Sequence, residues 1–132
     1  MDGTRFVVPV ATDRAPAPAG HYAQATIAGS LLYVSGQLPI RADGTLLAGA
    51  TFEEQASQAL DNVLAIVAAA GGAPLQIARV TAYIVGVAHW PRFNAIYAAK
   101  LGAARPARTV VPVPELHHGV LVEIDAIAIV GA

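Results

Sequence analysis

The stretch "PARTVVPVPELHHGVLVEIDAIA" sets an arginine, Arg108, and a glutamate, Glu123, into the most strand-like part of the chain. Only 13% of the residues are charged, so each charge placed among β-branched and apolar neighbours asks for a reason. One reading is a cross-strand ion pair at a sheet edge, worth a kcal/mol or less if exposed. The other is a site. A guanidinium is a planar fork that matches a carboxylate ligand through two parallel hydrogen bonds. A carboxylate in an apolar setting can take and return a proton. Residue types alone leave both readings open.

The elements that must position these two groups follow from periodicity. "HYAQATIAG" and "SLLYVSGQLPI" read as two strands joined at Gly29-Ser30. "TFEEQASQALDNVLAIVAAAGG" is the clearest helix. Thr51 caps it with Glu54 three residues on, a reciprocal capping box. Ala56, Leu60, Val63 and Val67 recur at helical spacing, and Gly71 supplies a left-handed stop. "QIARVTAYIVGV" is a strand. "PRFNAIYAAKLG" is a second helix, with Pro91 in its first turn and Phe93, Ile96, Tyr97 and Leu101 on one stripe. Two strands from the opening stretch end the order, and "RFVVPV" offers one more at the start. The expected fold is therefore α+β: a single domain over residues 1–132, with a mixed five- to six-stranded sheet and two helices on one face. Residues 1–19, with the proline-alanine run "RAPAPAG", form an extended N-terminal segment lying over the surface.

Two helices cover about one face of such a sheet. In the last strand Val120, Val122, Ile124, Ala126 and Ala128 share one face, and Leu121, Glu123, Asp125, Ile127 and Ile129 the other. Both sets are largely apolar, so the uncovered face is expected to pack against another copy of the chain.

Composition narrows the function classes. Eight basic and nine acidic residues give a net charge of −1 without any basic run, which argues against nucleic acid as a partner. No apolar run reaches the length of a membrane span, and no signal-peptide layout opens the chain. There are no cysteines, so disulfide and thiolate chemistry are excluded and a cytoplasmic protein is the expectation.

In order along the chain, "GHYAQA", "LYVSGQLP", "EQASQALDNVLAIVAAAGG", "RVTAYIV", "FNAIY", "RPARTVVPV" and "VLVEIDAIA" resemble the Rid family, the YjgF-type imine deaminases. The likeness covers about residues 14 to 130. It implies a chorismate-mutase-like fold and a homotrimer with three clefts between neighbouring subunits. The implied reaction is hydrolysis of 2-imino acids and their enamines to 2-keto acids and ammonia, without metal or cofactor. By motif match Arg108 becomes the substrate-carboxylate anchor and Glu123 the proton-handling acid. Tyr22, Ser35 and Gly36 line the same pocket, and Thr109 and Val110 contribute through the backbone.

The chain departs from the family pattern at three places. Val110 stands where cysteine is common, His21 replaces a proline before Tyr22, and one of the adjacent pair His117-His118 replaces a proline beside the cleft. The histidines are open to three readings: a solvated loop, a changed substrate choice with His117 in the pocket, or a metal site with His21. Two other functions stay open. One is a pathway-specific hydrolase of aminoacrylate or aminomuconate type, and the other a non-catalytic small-molecule-binding regulator on the same scaffold.

Overall fold

The computed structural model describes residues 6–131. Six strands form one sheet: β1 (Val8–Val10), β2 (Ala25–Ala28), β3 (Leu31–Gln37), β4 (Ile77–Val85), β5 (Ala107–Val113) and β6 (Val122–Ile129). Two α-helices, α1 (Phe52–Ala69) and α2 (Trp90–Leu101), complete the α+β fold. The strand order is β1-β2-β3-β6-β4-β5. Every pairing is antiparallel except β4 with β5, whose strand–helix–strand connection through α2 permits parallel pairing.

Local chemistry accounts for the elements. Gly29 takes φ +64° in the two-residue β2–β3 turn, where a side chain would be strained. The Thr51 hydroxyl accepts the Glu54 amide at 3.1 Å and starts α1. The return half of the expected capping box, from Glu54 to the Thr51 amide, is not among the bonds of the described residues. Gly71, at φ +86°, ends the helix with its N–H on the Ala68 carbonyl. The first expected strand begins later than its sequence suggests, because Tyr22 closes a local turn on the Gly20 carbonyl and Ala23 and Gln24 are spent on tertiary bonds. Gln24 accepts the Thr12 amide and donates to the Thr12 and Pro16 carbonyls. That amide also pins the N-terminal segment, whose Ala15 is buried and whose Ala17, Pro18 and Ala19 are exposed.

The core lies between the helices and one sheet face. Leu32 and Val34 of β3, Val80, Ala82 and Ile84 of β4, and Val122, Ile124, Ala126 and Ala128 of β6 alternate into it. They meet Ala56, Leu60, Val63 and Val67 of α1 and Phe93, Tyr97 and Leu101 of α2. The opposite face carries Tyr33, Tyr83, Thr109, Val111, Glu123, Asp125, Ile127 and Ile129, and no helix of the described residues packs over it. Tyr33 and Ile129 are 43% and 51% exposed.

Four buried side chains of the described residues are polar, and all are amides with partners. Asn62, fully buried on α1, donates to the Leu38 and Ile40 carbonyls at 3.1 and 2.9 Å, so it anchors the loop leaving β3. Gln55 donates to the Ala50 carbonyl and accepts the Leu121 amide, tying α1 to the entrance of β6. Asn62→Leu should therefore destabilise the protein by about 2 kcal/mol, since it leaves the Ile40 carbonyl without its partner, while the Leu38 carbonyl keeps the Ile40 amide. Thr51→Ala removes one exposed cap and should lose about 1 kcal/mol. Urea denaturation at one fixed protein concentration separates the two.

Candidate active site

The site begins with a defect in the sheet. β3 and β6 pair regularly from Leu31↔Ile129 to Val34↔Ala126, then shift register before Gln37↔Ile124. The extra residue bulges at Ser35-Gly36, bending the strand where it passes β6. There Gly36 lies against the Glu123 side chain. A Cβ on Gly36 would stand 3.1 Å from Glu123 Cδ and nearer still to Oε2, so only glycine leaves the carboxylate its place. The Ser35 hydroxyl donates to the Ala23 carbonyl at 2.7 Å, fixing the bulge to the segment that carries Tyr22. The Tyr22 hydroxyl accepts the Ala19 amide at 3.4 Å, and the ring remains half exposed. Tyr22, Ser35, Gly36, Leu38, His117 and Glu123 enclose a cleft of about 360 Å³.

Glu123 is half-buried and makes no ion pair within the described residues. Burial pushes its carboxyl above the ordinary carboxylate range, Asp125 on the same face adds to the rise, and His117 opposes it. Asp125 is also pushed up by burial, with Arg79 opposing. A carboxyl raised in this way is poised to exchange protons in a cleft.

Arg108 stands elsewhere. Cross-strand partners share a sheet face, and Arg108 pairs with Val80 whereas Glu123 pairs with Tyr83. Val80 and Tyr83 are three residues apart on β4, so Arg108 and Glu123 emerge on opposite faces. The cross-strand ion pair considered from sequence is therefore not formed. Arg108 sits on the edge strand β5 on the helix side. Its Nη1 donates to Asn94 Oδ1 at 3.0 Å, and its Cζ lies 4.8 Å from the Tyr97 ring centroid. These groups, with Arg105, line a second cavity of about 240 Å³. The Tyr97 hydroxyl is buried without a hydrogen-bond partner among the described residues, and burial raises its pKa while Arg108 opposes. Thr109 faces away from Arg108 and accepts Arg79 Nη2 at 2.7 Å, while Val110 is buried in the core.

One chain thus brings together Tyr22, Ser35, Gly36, His117 and Glu123, and leaves Arg108, Thr109 and Val110 outside that cleft. From sequence, Tyr97 belongs to the apolar stripe of the second helix and Asn94 has no role. Their spacing of one helical turn, facing the strand that carries Arg108, was the available signal. His21 is exposed, and it does not line the cleft with His117. Among the described residues no three His, Asp or Glu side chains are grouped to hold a metal ion, and no helix is long and apolar enough to cross a membrane.

Known proteins share this arrangement of elements. The family profile described as endoribonuclease L-PSP matches residues 12–130. A RutC family protein of Pyrococcus horikoshii is 38% identical over 117 residues, which are 89% of this chain and 93% of that one. The YyfA protein of Yersinia pestis, from the conserved Rid family, superposes with a TM-score of 0.91 at 36% identity, over 95% of this chain and all of that one. TdcF of E. coli, solved with bound serine, superposes with a TM-score of 0.86 at 34% identity, covering 93% and 98% of the two chains. By its sequence and its fold, the chain belongs to the endoribonuclease L-PSP family, the YjgF/RutC/Rid group.

Proposed function

We propose that the protein is a hydrolytic deaminase converting 2-imino acids and their enamine tautomers to 2-keto acids and ammonia. The observation that carries the reading is the Glu123 carboxyl, raised by burial in a cleft that the Ser35-Gly36 bulge holds open for it. The bound serine of TdcF supports the ligand class, since an amino acid places a carboxylate one carbon from a nitrogen. Because Arg108 and Glu123 leave one chain on opposite faces, the complete cleft draws them from two neighbouring copies. A homotrimer supplies three such clefts and covers the apolar sheet face as well.

The chemistry needs little more. Arg108 holds the substrate carboxylate, and Asn94 and the Tyr97 ring hold Arg108. With the imine nitrogen protonated, Glu123 takes a proton from a water as its oxygen bonds to the imine carbon and the C=N π pair moves onto nitrogen. The protonated Glu123 then returns that proton to the amine nitrogen. The C–N bond breaks, its electron pair leaves with ammonia, and the hydroxyl proton passes to the Glu123 carboxylate and on to solvent as the keto group forms. Tyr22, on the wall of the cleft, donates a hydrogen bond or closes the pocket around the substrate.

Mixed oligomers test the shared cleft directly. Arg108→Ala and Glu123→Gln should each be inactive alone. Co-refolded in equal amounts they should recover about one quarter of wild-type activity, the share of clefts that receive both intact groups. Zero recovery places the groups in one chain or outside the reaction. The assay is ammonia release from an imino acid formed in place by an amino acid oxidase, above the rate in buffer.

Arg108→Lys keeps the charge and loses the fork, and should lower kcat/KM about a hundredfold. Asn94→Ala leaves the guanidinium free to turn and should raise KM more than it lowers kcat; equal effects on both would remove its positioning role.

The pH profile should report Glu123. Activity rises as this carboxyl ionises, so its raised pKa sets the acid limb of kcat/KM above the ordinary carboxylate range. Asp125→Asn removes a like charge and should move that limb to lower pH. His117→Asn removes the opposing group and should move it to higher pH. The neighbour's Arg108 faces Glu123 in all three proteins and leaves the order of the limbs unchanged. Limbs that coincide would take Glu123 out of the rate-determining proton transfer.

A further inference from the structure

Beside the Glu123 cleft lies another cavity, of about 210 Å³, which shares Tyr22, Gly36, Leu38 and His117 with it as walls. The far wall is apolar, formed by Pro16, Ala17 and Ile40, and His118 stands opposite. Two amides on its lining are committed inward: Gln24 bonds Thr12 and Pro16, and Gln37 bonds the Ser35 carbonyl. The ring nitrogens of His117 and His118 are not. No hydrogen bond joins either ring to another described residue, whereas His89 meets Arg92 Nη1 at 3.3 Å.

The backbone sets the two rings deliberately. His118 is the one non-glycine residue at positive φ among the described residues, at φ 60° and ψ 13°. Gly119 follows at φ +71°. A side chain in the left-handed region is disfavoured by roughly 1 kcal/mol or more, and such strain collects at functional sites. Here the turn brings the two imidazoles together, with ring centroids 3.7 Å apart; both line this cavity, and His117 also lines the Glu123 cleft.

We infer that His117 and His118 form the recognition site for the end of the substrate's side chain, and that the class they select is 2-imino acids bearing a second carboxylate. This rests on the deaminase reading above and deepens it. With the first carboxylate on Arg108 and the imine carbon at Glu123, the side chain enters the adjoining cavity. Its methylenes meet Pro16, Ala17 and Ile40, and its terminal oxygens accept from the imidazole N–H groups. Glu123 borders the first cavity and not the second, so His117 stands on the wall between the reacting carboxylate and the incoming one. A carboxylate offers one oxygen to each ring in charge-assisted bonds, which are stronger than those a neutral hydroxyl accepts, and an alkyl end accepts none.

Product binding tests this without relying on turnover. Isothermal titration of the wild-type oligomer should show 2-oxoglutarate or oxaloacetate binding about tenfold more tightly than 2-oxobutanoate, since a site built to donate hydrogen bonds disfavours ligands that cannot accept them. The preference should vanish in His117→Phe combined with His118→Asn, where asparagine tolerates the left-handed backbone. His118→Asn alone keeps one ring and should lose part of it. In turnover, the ratio of kcat/KM for imino acids made from aspartate or glutamate to that for the imine from alanine should fall about tenfold in the double variant. Equal binding of mono- and dicarboxylates by the wild type overturns the inference even if small imines are hydrolysed well, and so does a preference that survives in the double variant. A histidine-dependent preference without turnover of any imine above the buffer rate would leave the recognition site standing and remove the deaminase reading.

Discussion

Strand parity is the constraint on which the site depends. Side chains along β4 alternate between faces, and its register gives Arg108 to one face through Val80 and Glu123 to the other through Tyr83. A one-residue slip of β5 would turn Arg108 towards the Glu123 face, and would also pull Val110 out of the core. Burial of Val110 and the rest of the helix-side set therefore fixes the separation of the two charges. In the proposed mechanism the reaction needs both, so it needs two copies of the chain. The packing that makes the monomer fold thus leaves each half-site incomplete.

That constraint also explains why the sequence was legible in unequal parts. α1 could be read to within a residue, because Thr51, the Ala56–Leu60–Val63–Val67 stripe and Gly71 are local signals that tertiary packing reinforces. The Gly29-Ser30 hairpin and the stripe on α2 were local in the same sense. The pairing of β5 beside β4 is not. Nothing within residues 106–128 states that a third strand lies between the two charged ones, so a direct ion pair remained open until the sheet order was known. Tyr22 and Gln24 look strand-like because alternation is the only signal there. Their place is set by bonds to the proline-alanine segment, more than seven residues away in sequence for every Gln24 contact. The bulge at Ser35-Gly36 was hidden for the same reason: a glycine inside a strand pattern indicates close approach, but not what approaches.

Glu123 shows the tension between folding and chemistry in one residue. Its folded pKa is raised, so the contribution it makes to stability is fully present below the unfolded pKa and is lost as pH rises through the folded one. At neutral pH the ionised form that the proposed mechanism requires is the form the fold disfavours. The elements around it limit the damage. Gly36 gives the carboxylate room, Ser35 ties the bulge to the chain, and His117 opposes the rise due to burial and Asp125. Half-burial keeps the group able to meet water while its proton affinity is still raised.

The two halves of the site are supported by different means. Arg108 is held by an amide and an aromatic face from α2, a helix buried along one side, which suits the orienting role proposed for it. Glu123, Tyr22 and His117 are gathered by a bulge, a loop and a left-handed turn, where irregular backbone brings together side chains that no regular element could. Anchoring tolerates little displacement, since misalignment of the fork loses both hydrogen bonds together. The wall around the side chain can change residue by residue while the sheet stays intact. The histidine pair lies in that second, replaceable part of the cleft, so a shift in substrate class there requires no alteration of the core.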